Sequence, residues 1–214
     1  MINYLATQKN WQNAFSDTIT SFAELAQALD LPIDSFDSQV GQFPLKVPRR
    51  FVQKMGKGDI HDPLLKQVLP TFQETVQVTG FVTDPLDEQH ANPVKGIIHK
   101  YASRVLIPVT GACVVNCRYC FRQHFDYHEN LPTQNDWQAI SAYITAHPAI
   151  NEVILSGGDP LSLSNRRLLE IFTTLEALPQ VQTIRIHTRV PVMIPERLDE
   201  PLLARFANSR CHIV

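Results

Sequence analysis

The second half of the chain contains short apolar runs that are separated by polar, helix-like stretches. Runs at 103–110, 151–160 and 181–192 ("SRVLIPVT", "NEVILSGGDP" and "VQTIRIHTRVPV") predict three strands, and the terminal "CHIV" predicts the start of a fourth. Strands that alternate with helices favour βαβ units in a parallel sheet. In such sheets the functional residues lie at the C-terminal ends of the strands.

Two stretches between these strands carry apolar residues at helical spacing. Asn135 and Ser164 are placed to cap the two helices. The predicted apolar faces are Trp137, Ile140 and Ile144 in the first helix, and Leu168, Phe172 and Leu175 in the second.

Residues 1–95 hold most of the remaining helix signals. "SFAE" at 21–24 has the pattern of a capping box in front of an apolar stripe. A second helix is predicted from Pro48 to Gly56, and a third begins with Asp62 as its cap. We therefore predict an α/β chain with two regions, a mainly helical N-terminal region at 1–95 and a strand–helix region at 96–214.

The composition is ordinary for a globular protein and excludes few functions. The 214 residues are 44% hydrophobic and 19% charged, with a net charge of −2. This balance gives no reason to expect nucleic acid or a membrane as a partner. The N-terminus lacks the pattern of a signal peptide, and no apolar run reaches the length of a membrane helix. We therefore expect a cytoplasmic protein, in which clustered cysteines bind metal more often than they form disulfides.

Three of the four cysteines fall within eight residues, directly after the first predicted strand. Cys113, Cys117 and Cys120 could each bind one iron of a four-iron cluster, which would leave the fourth iron open. The same cysteines with His124 could instead form a Cys₃His zinc site. The position after a strand of a larger core favours the cluster, because structural zinc more often stabilises small modules. Cys211 lies in an apolar run and is predicted to be a buried thiol.

Two further segments fall at predicted strand ends. The turn after the second strand contains Gly157 and Gly158, and bare backbone there would allow a ligand to approach closely. Alternation along the third strand places Arg185, His187 and Arg189 on one face. That face would meet anions inside a barrel, or water if the strand lies at an edge. We expect His61, His90 and His147 to be surface or packing residues.

Together these segments resemble a known family. The spacing C-x₃-C-x₂-C after a first strand resembles the radical S-adenosylmethionine (SAM) enzymes. "TDPLDEQHANPVKGIIHKY", "RVLIPVTGACVVNCRYCFRQHF", "LSGGDPL" and "RIHTRVPVMIPERL" resemble lysine 2,3-aminomutases. Within that family, "RYCFRQHF" is most similar to the members that supply (R)-β-lysine for modification of elongation factor P. The resemblance begins at about Val47 and implies a partial (β/α) barrel, of which 96–214 would be the N-terminal half.

The resemblance also implies roles for single residues. Cys113, Cys117 and Cys120 would bind a [4Fe–4S] cluster, and Arg122 would pair with the α-carboxylate of the substrate. Tyr119 would lie near the adenine of SAM, unless it is a loop aromatic that packs on the core. The methionine amino group would be contacted by Ser156, Gly157, Gly158 and Asp159, and further cofactor contacts would come from Arg185, His187 and Arg189. Near the phosphate of pyridoxal phosphate would lie Lys100, Tyr101 and Arg104.

The implied reaction converts L-lysine to (R)-β-lysine. In the family, an electron cleaves SAM at the cluster, and the resulting 5′-deoxyadenosyl radical takes a hydrogen from lysine bound to pyridoxal phosphate. The amino nitrogen then migrates from the α to the β carbon. The implied partners are an electron donor such as flavodoxin or ferredoxin, and a functional link to elongation factor P and its ligase.

The sequence departs from the family in its lysines. The family holds pyridoxal phosphate on a lysine late in the chain, whereas none of the seven lysines here follows Lys100. We therefore expect a C-terminally truncated enzyme that does not isomerise lysine by itself. Two alternatives remain open at this stage. One is an aminomutase for another amino acid, such as glutamate 2,3-aminomutase, and the other is a non-catalytic zinc or iron–sulfur module.

Overall fold

The computed structural model describes residues 10–37 and 44–214, and the chain divides into two compact units. The first unit consists of Met1–Pro85, Val114–Gln123 and Pro191–Glu196. The second unit consists of Leu86–Cys113, His124–Val190 and Arg197–Val214. Cys113 therefore belongs to the second unit, and Cys117 and Cys120 belong to the first.

Short elements make up the first unit. Its helices and strands are α1 (Asn10–Ser16), β1 (Thr18–Ile19), α2 (Phe22–Leu29), β2 (Val47–Pro48) and α3 (Arg49–Val52). Single 3₁₀ turns follow at Ile33–Ser35, Leu65–Gln67 and Phe72–Thr75. Strands β1 and β2 pair antiparallel, and the α2 side chains Leu25, Ala26 and Leu29 are buried.

The predicted starts of α2 and α3 are correct, whereas the third predicted helix is only the 3₁₀ turn at Leu65–Gln67. Ser21 precedes α2 without a capping hydrogen bond from its side chain, and the Glu24 side chain pairs with Arg49. Helix α3 ends at Val52 rather than Gly56. Asp62 acts as a cap: its Oδ1 accepts the N–H groups of Leu64 and Leu65 at 2.8 and 2.9 Å.

Alternating strands and helices make up the second unit. After a 3₁₀ turn at Gln89–Ala91, its elements are β3 (Ile98–Tyr101), β4 (Arg104–Thr110), α4 (Tyr127–Asn130), α5 (Asp136–Ala146), β5 (Glu152–Gly157), α6 (Asn165–Glu176), β6 (Thr183–Ile186), α7 (Val190–Met193), α8 (Glu200–Ala207) and β7 (His212–Ile213), of which α7 passes into the first unit. Two more 3₁₀ turns lie at Pro160–Ser162 and Pro195–Arg197.

The five strands of this unit form one sheet in the order β3-β4-β5-β6-β7. Strand β3 is antiparallel to β4, and the other neighbours are parallel. This is the α/β architecture of a partial (β/α) barrel, as the sequence predicts. The parallel register aligns the ends of β4 and β5, so that Thr110 faces Gly157 at the C-terminal edge of the sheet.

Apolar residues from the strands and both long helices form the core of the second unit. The buried faces of α5 and α6 contain all six predicted residues. All of them except Leu168 share one core cluster with strand residues such as Val105, Ile107, Val153, Leu155 and Ile184. Ser164 caps α6 by accepting the Arg167 N–H, whereas Asn135 makes no capping bond from its side chain before α5. No helix within 10–37 and 44–214 is long and apolar enough to cross a bilayer.

The third strand is shorter than predicted. It ends at Ile186, and α7 begins at Val190. The backbone N–H groups of Arg189 and Val190 donate to the Asp159 carboxylate and so leave the strand ladder. Of the three basic residues assigned to one strand face, only Arg185 lies in the strand. The prediction of alternation through His187 and Arg189 is therefore wrong.

Candidate functional site

The turn after β5 contacts the segment that leads from β4 to Cys113. Gly157 has a φ of +108°, and an added Cβ would lie 2.5 Å from the Thr110 carbonyl oxygen. A Cβ on Gly158 would lie 2.4 Å from the carbonyl oxygen of Ala112. The Gly158 N–H donates to the Thr110 oxygen at 2.6 Å. The protein's own backbone is therefore a sufficient reason for both glycines, whereas the sequence argument attributed them to a ligand.

Asp159 joins this turn to the one after β6. Its Oδ1 accepts the Leu161 N–H at 3.0 Å and the Thr188 hydroxyl at 2.6 Å. Its Oδ2 accepts the N–H groups of Arg189 at 2.6 Å and Val190 at 3.1 Å. A carboxylate offers about four acceptor positions, and protein donors take four here. The expected contact of Asp159 with the methionine amino group stays a prediction; the structure gives this buried side chain the role of a tie between two loops.

A fully buried arginine holds the next part of the same loop. Arg197 donates from Nε to the Leu161 carbonyl at 2.7 Å and from Nη2 to the Leu163 carbonyl at 2.9 Å. Its Nη1 donates to Asn165 Oδ1 at 2.8 Å. Burial lowers the pKa of Arg197, and the charges of Asp199 and Asp159 act in the opposite direction. The loop that follows the glycines is therefore fixed by Asp159 at its start and by Arg197 along its length.

We expect Asp159→Ala to lower the free energy of unfolding by about 3 kcal/mol, because it leaves buried N–H donors without an acceptor. Urea unfolding of the metal-free chain measures the loss. Asp126 provides a matched control, since its Oδ1 caps α4 at an exposed position by accepting the Glu129 N–H at 3.1 Å. Asp126→Ala should cost much less. Equal losses in the two variants would contradict the role assigned to Asp159.

The three clustered cysteines form no disulfides, and their side chains are of intermediate exposure. Cys117 and Cys120 belong to one tight turn, in which the Cys120 N–H donates to the Cys117 carbonyl at 3.0 Å. Tyr119 lies inside this turn and is 64% exposed, so it is not a core aromatic. Arg122 is buried, and its guanidinium carbon lies 4.6 Å from the centroid of the Phe121 ring.

The cysteine sulfurs fit iron better than a single hard cation, because thiolates are the usual ligands of iron–sulfur clusters. Among residues 10–37 and 44–214, no three His, Cys, Asp or Glu side chains converge as ligands of one metal ion. A four-iron cluster does not require such convergence, since each thiolate binds a different iron.

Glu152 lies between two basic residues of the predicted cofactor set. At the start of β5 its carboxylate is 2.5 Å from Arg185 Nε and 3.7 Å from Arg104 Nε. Arg104 and Glu152 pair where β4 and β5 begin, and Arg185 lies two residues into β6, opposite Ile154. Thr110 and Gly157 lie at the opposite edge. The structure therefore does not bring Arg104 and Arg185 together with the glycine turn.

The remaining candidates are mostly exposed. Lys100 and Tyr101 lie on β3, where the Tyr101 ring is 6.0 Å from the Arg104 guanidinium carbon. Exposed side chains also include His124 and His187, whereas Arg189 is half-buried. Ser156 is buried at the end of β5. His61, His90 and His147 lie at the surface, as predicted.

Cys211 is confirmed as a core thiol. Its sulfur donates to the Val181 carbonyl at 3.3 Å, and burial raises the pKa of this thiol.

Comparison with known proteins agrees with the fold and the cysteine spacing. The sequence model described as "Radical SAM superfamily" matches residues 107–213, from within β4 to β7. The chain belongs to the radical SAM superfamily. The match to this superfamily covers all three clustered cysteines and the glycine turn. It also accounts for the partial barrel that the strand order shows.

Curated relatives extend the similarity to nearly the whole chain. The chain is 43% identical over 212 residues to the L-lysine 2,3-aminomutase of Escherichia coli, which covers 97% of this chain and 62% of the relative. An enzyme of the same name from Haemophilus influenzae is also 43% identical, with the same coverage. The one from Clostridium subterminale is 30% identical over 203 residues, 92% of this chain and 49% of the relative. The chain thus spans less than two thirds of these radical SAM relatives, and the similarity extends beyond the motifs that begin at Val47.

Sequence reasoning missed the residues that support the radical SAM loops. Arg197 lies in the quoted segment "RIHTRVPVMIPERL", yet its burial depends on acceptors more than 30 residues away. Its position just after the apolar, proline-containing run at 190–195 is a signal that could have identified it. No local signal marks Glu152, whose two arginine partners come from two neighbouring strands.

Proposed function

We propose that this chain is the cluster-binding part of a radical SAM lysine 2,3-aminomutase that converts L-lysine to (R)-β-lysine. The observation that carries the proposal is the 43% identity to two enzymes named L-lysine 2,3-aminomutase over 97% of the chain. The product would serve the modification of elongation factor P by its ligase. The setting would be the cytoplasm, with flavodoxin or ferredoxin as the electron donor.

In this proposal Cys113, Cys117 and Cys120 hold a [4Fe–4S] cluster. When bound, the cluster and SAM would supply radical chemistry, and the protein would orient the reactants and exclude water. The Gly157–Gly158 turn supports the role of Cys113, because its hydrogen bond to Thr110 and its close contact with Ala112 fix the residues before this ligand. Tyr119 and Ser156 would contact SAM.

Arg122 would bind the α-carboxylate of lysine, a role that suits the fork geometry of guanidinium. Its burial supports this, since an ion pair gains strength away from water. Asp159 would tie the two loops together, and its predicted contact with the methionine amino group of SAM would come in addition to these bonds. Further SAM contacts would come from Arg185, His187 and Arg189. Lys100, Tyr101 and Arg104 would lie near the phosphate of pyridoxal phosphate. Arg104 and Arg185 would first have to give up their pairing with Glu152.

Pyridoxal phosphate would be held by a lysine outside these 214 residues, because all seven lysines lie at or before Lys100. We therefore expect the 214-residue chain to cleave SAM without isomerising lysine.

The test supplies the anaerobically reconstituted chain with dithionite, SAM, pyridoxal phosphate and L-lysine, and measures 5′-deoxyadenosine and β-lysine by mass spectrometry. The proposal predicts 5′-deoxyadenosine that disappears in Cys117→Ala, and no β-lysine. Formation of β-lysine by this chain would contradict the division of the active site. Absence of 5′-deoxyadenosine despite a full cluster would contradict the radical assignment.

A further inference from the structure

The turn that carries Cys117 and Cys120 is held by two earlier segments of the first unit. Asn116 donates its N–H to the Lys46 carbonyl at 2.9 Å and its side-chain Nδ2 to the Pro44 carbonyl at 2.8 Å. The Arg118 N–H donates to the Gln67 carbonyl at 2.9 Å. The backbone around Cys117 is therefore tied to residues that lie about 50 to 70 positions earlier in the chain.

The side chain of Arg118 adds a charged contact to these ties. Its Nε lies 2.5 Å from Glu74 Oε1, and its Nη2 donates to the Thr71 hydroxyl at 2.9 Å. The same Glu74 oxygen accepts the Thr71 N–H at 3.2 Å, which fixes the carboxylate at the start of a 3₁₀ turn. The exposed fractions of the two side chains are 29% for Arg118 and 16% for Glu74. The pair is thus partly shielded from water, and charge-assisted hydrogen bonds are stronger where water is excluded.

The place of Arg118 in the sequence gives this pair a consequence beyond stability. Arg118 lies between Cys117 and Cys120 in the sequence, so that the residue next to one predicted cluster ligand has a positively charged side chain. Net charge and hydrogen bonding near a cluster set its reduction potential. Glu74 compensates the arginine charge, and it also holds the guanidinium in one place.

We propose that Arg118 and Glu74 are positioning residues that fix the cysteine turn, and that Glu74 offsets the effect of the Arg118 charge on the reduction potential of the cluster bound there. This inference rests on the proposed function only in requiring a cluster. Neither residue needs to touch SAM or substrate. The pair acts through the cysteine turn and through its charges.

The charge part of the proposal is tested by the midpoint potential of the reconstituted cluster, followed by EPR in a redox titration. Glu74→Gln leaves the arginine charge uncompensated and should raise the potential. Arg118→Met leaves the carboxylate uncompensated and should lower it. The double variant removes both charges and should return close to the parent. Asp30→Asn serves as a control, since Asp30 pairs with Lys57 in an ion pair whose side chains are 62% and 68% exposed.

The geometric part is tested without a cluster, by hydrogen exchange of the amides in 114–123 of the metal-free chain. Arg118→Met should speed this exchange, and Arg118→Lys should do so while keeping the potential near that of the parent. Parent-like potentials and exchange rates in all the Arg118 and Glu74 variants would overturn the proposal. A parent chain that assembles no cluster would instead contradict the proposed function, and the exchange rates would still decide whether the pair positions the turn.

Discussion

Replacing any one of Cys113, Cys117 and Cys120 with alanine should abolish the iron–sulfur cluster. Each thiolate would be the single protein ligand of one iron, so its loss would leave a second iron open to solvent. After anaerobic reconstitution the parent chain should hold about four iron and about four sulfide per chain. The variants should hold little of either, measured by iron and sulfide analysis and by the loss of visible absorption.

Cys211→Ala is the matched control for this result. The sulfur of Cys211 is buried in the core and bonded to the Val181 carbonyl, so this variant should keep the full cluster and lose only some stability. A Cys211 variant that loses the cluster while one of the other three retains it would contradict the assignment of ligands. Stoichiometric zinc without iron in the parent would contradict the cluster itself.

The second large effect is expected at Gly158. An alanine Cβ would lie 2.4 Å from the Ala112 oxygen and 2.7 Å from the Gly111 carbonyl carbon, and these backbone atoms cannot move aside as a flexible side chain could. We expect Gly158→Ala to lower the free energy of unfolding by about 3 kcal/mol. Because Ala112 directly precedes Cys113, the variant should also assemble less cluster.

Gly56→Ala separates this clash from the general effect of adding a methyl group. Like Gly158, Gly56 does not have a positive φ, but the nearest atom to its added Cβ is Asp62 Oδ2 at 3.4 Å. We expect its unfolding free energy to change by less than about 1 kcal/mol. Urea unfolding of both metal-free variants and their iron content after reconstitution provide the comparison. A Gly158→Ala chain with parent-like stability and iron content would refute the role of the close backbone contact.

The regular part of the fold could be predicted from the sequence because its signals are local. The apolar runs of β4 and β5 and the stripes of α5 and α6 are each set by spacing within about a dozen residues. The same spacing placed the cysteines and the glycine turn at strand ends. The structure agrees with all of these elements.

The parts that could not be predicted depend on contacts between distant residues. Strand β6 stops early because the carboxylate of Asp159 takes the N–H groups of Arg189 and Val190, some 30 positions later in the chain. The charge of Arg185 is compensated by Glu152 on the neighbouring strand, and alternation along a single strand cannot show such a partner. Likewise, the sequence predicts only that backbone approaches closely at Gly158. The structure shows that the atom an added Cβ would meet is the carbonyl oxygen of Ala112.

We propose that this chain binds a cluster with one iron open to SAM, and EPR spectra of the dithionite-reduced, reconstituted chain test this directly. Saturating SAM should cause a clear change in g-values and line shape. No such change is expected with 5′-deoxyadenosine, which lacks the amino acid group that would bind the open iron. Identical spectra with and without SAM, from a chain that holds a full complement of iron and sulfide, would contradict an iron open to SAM.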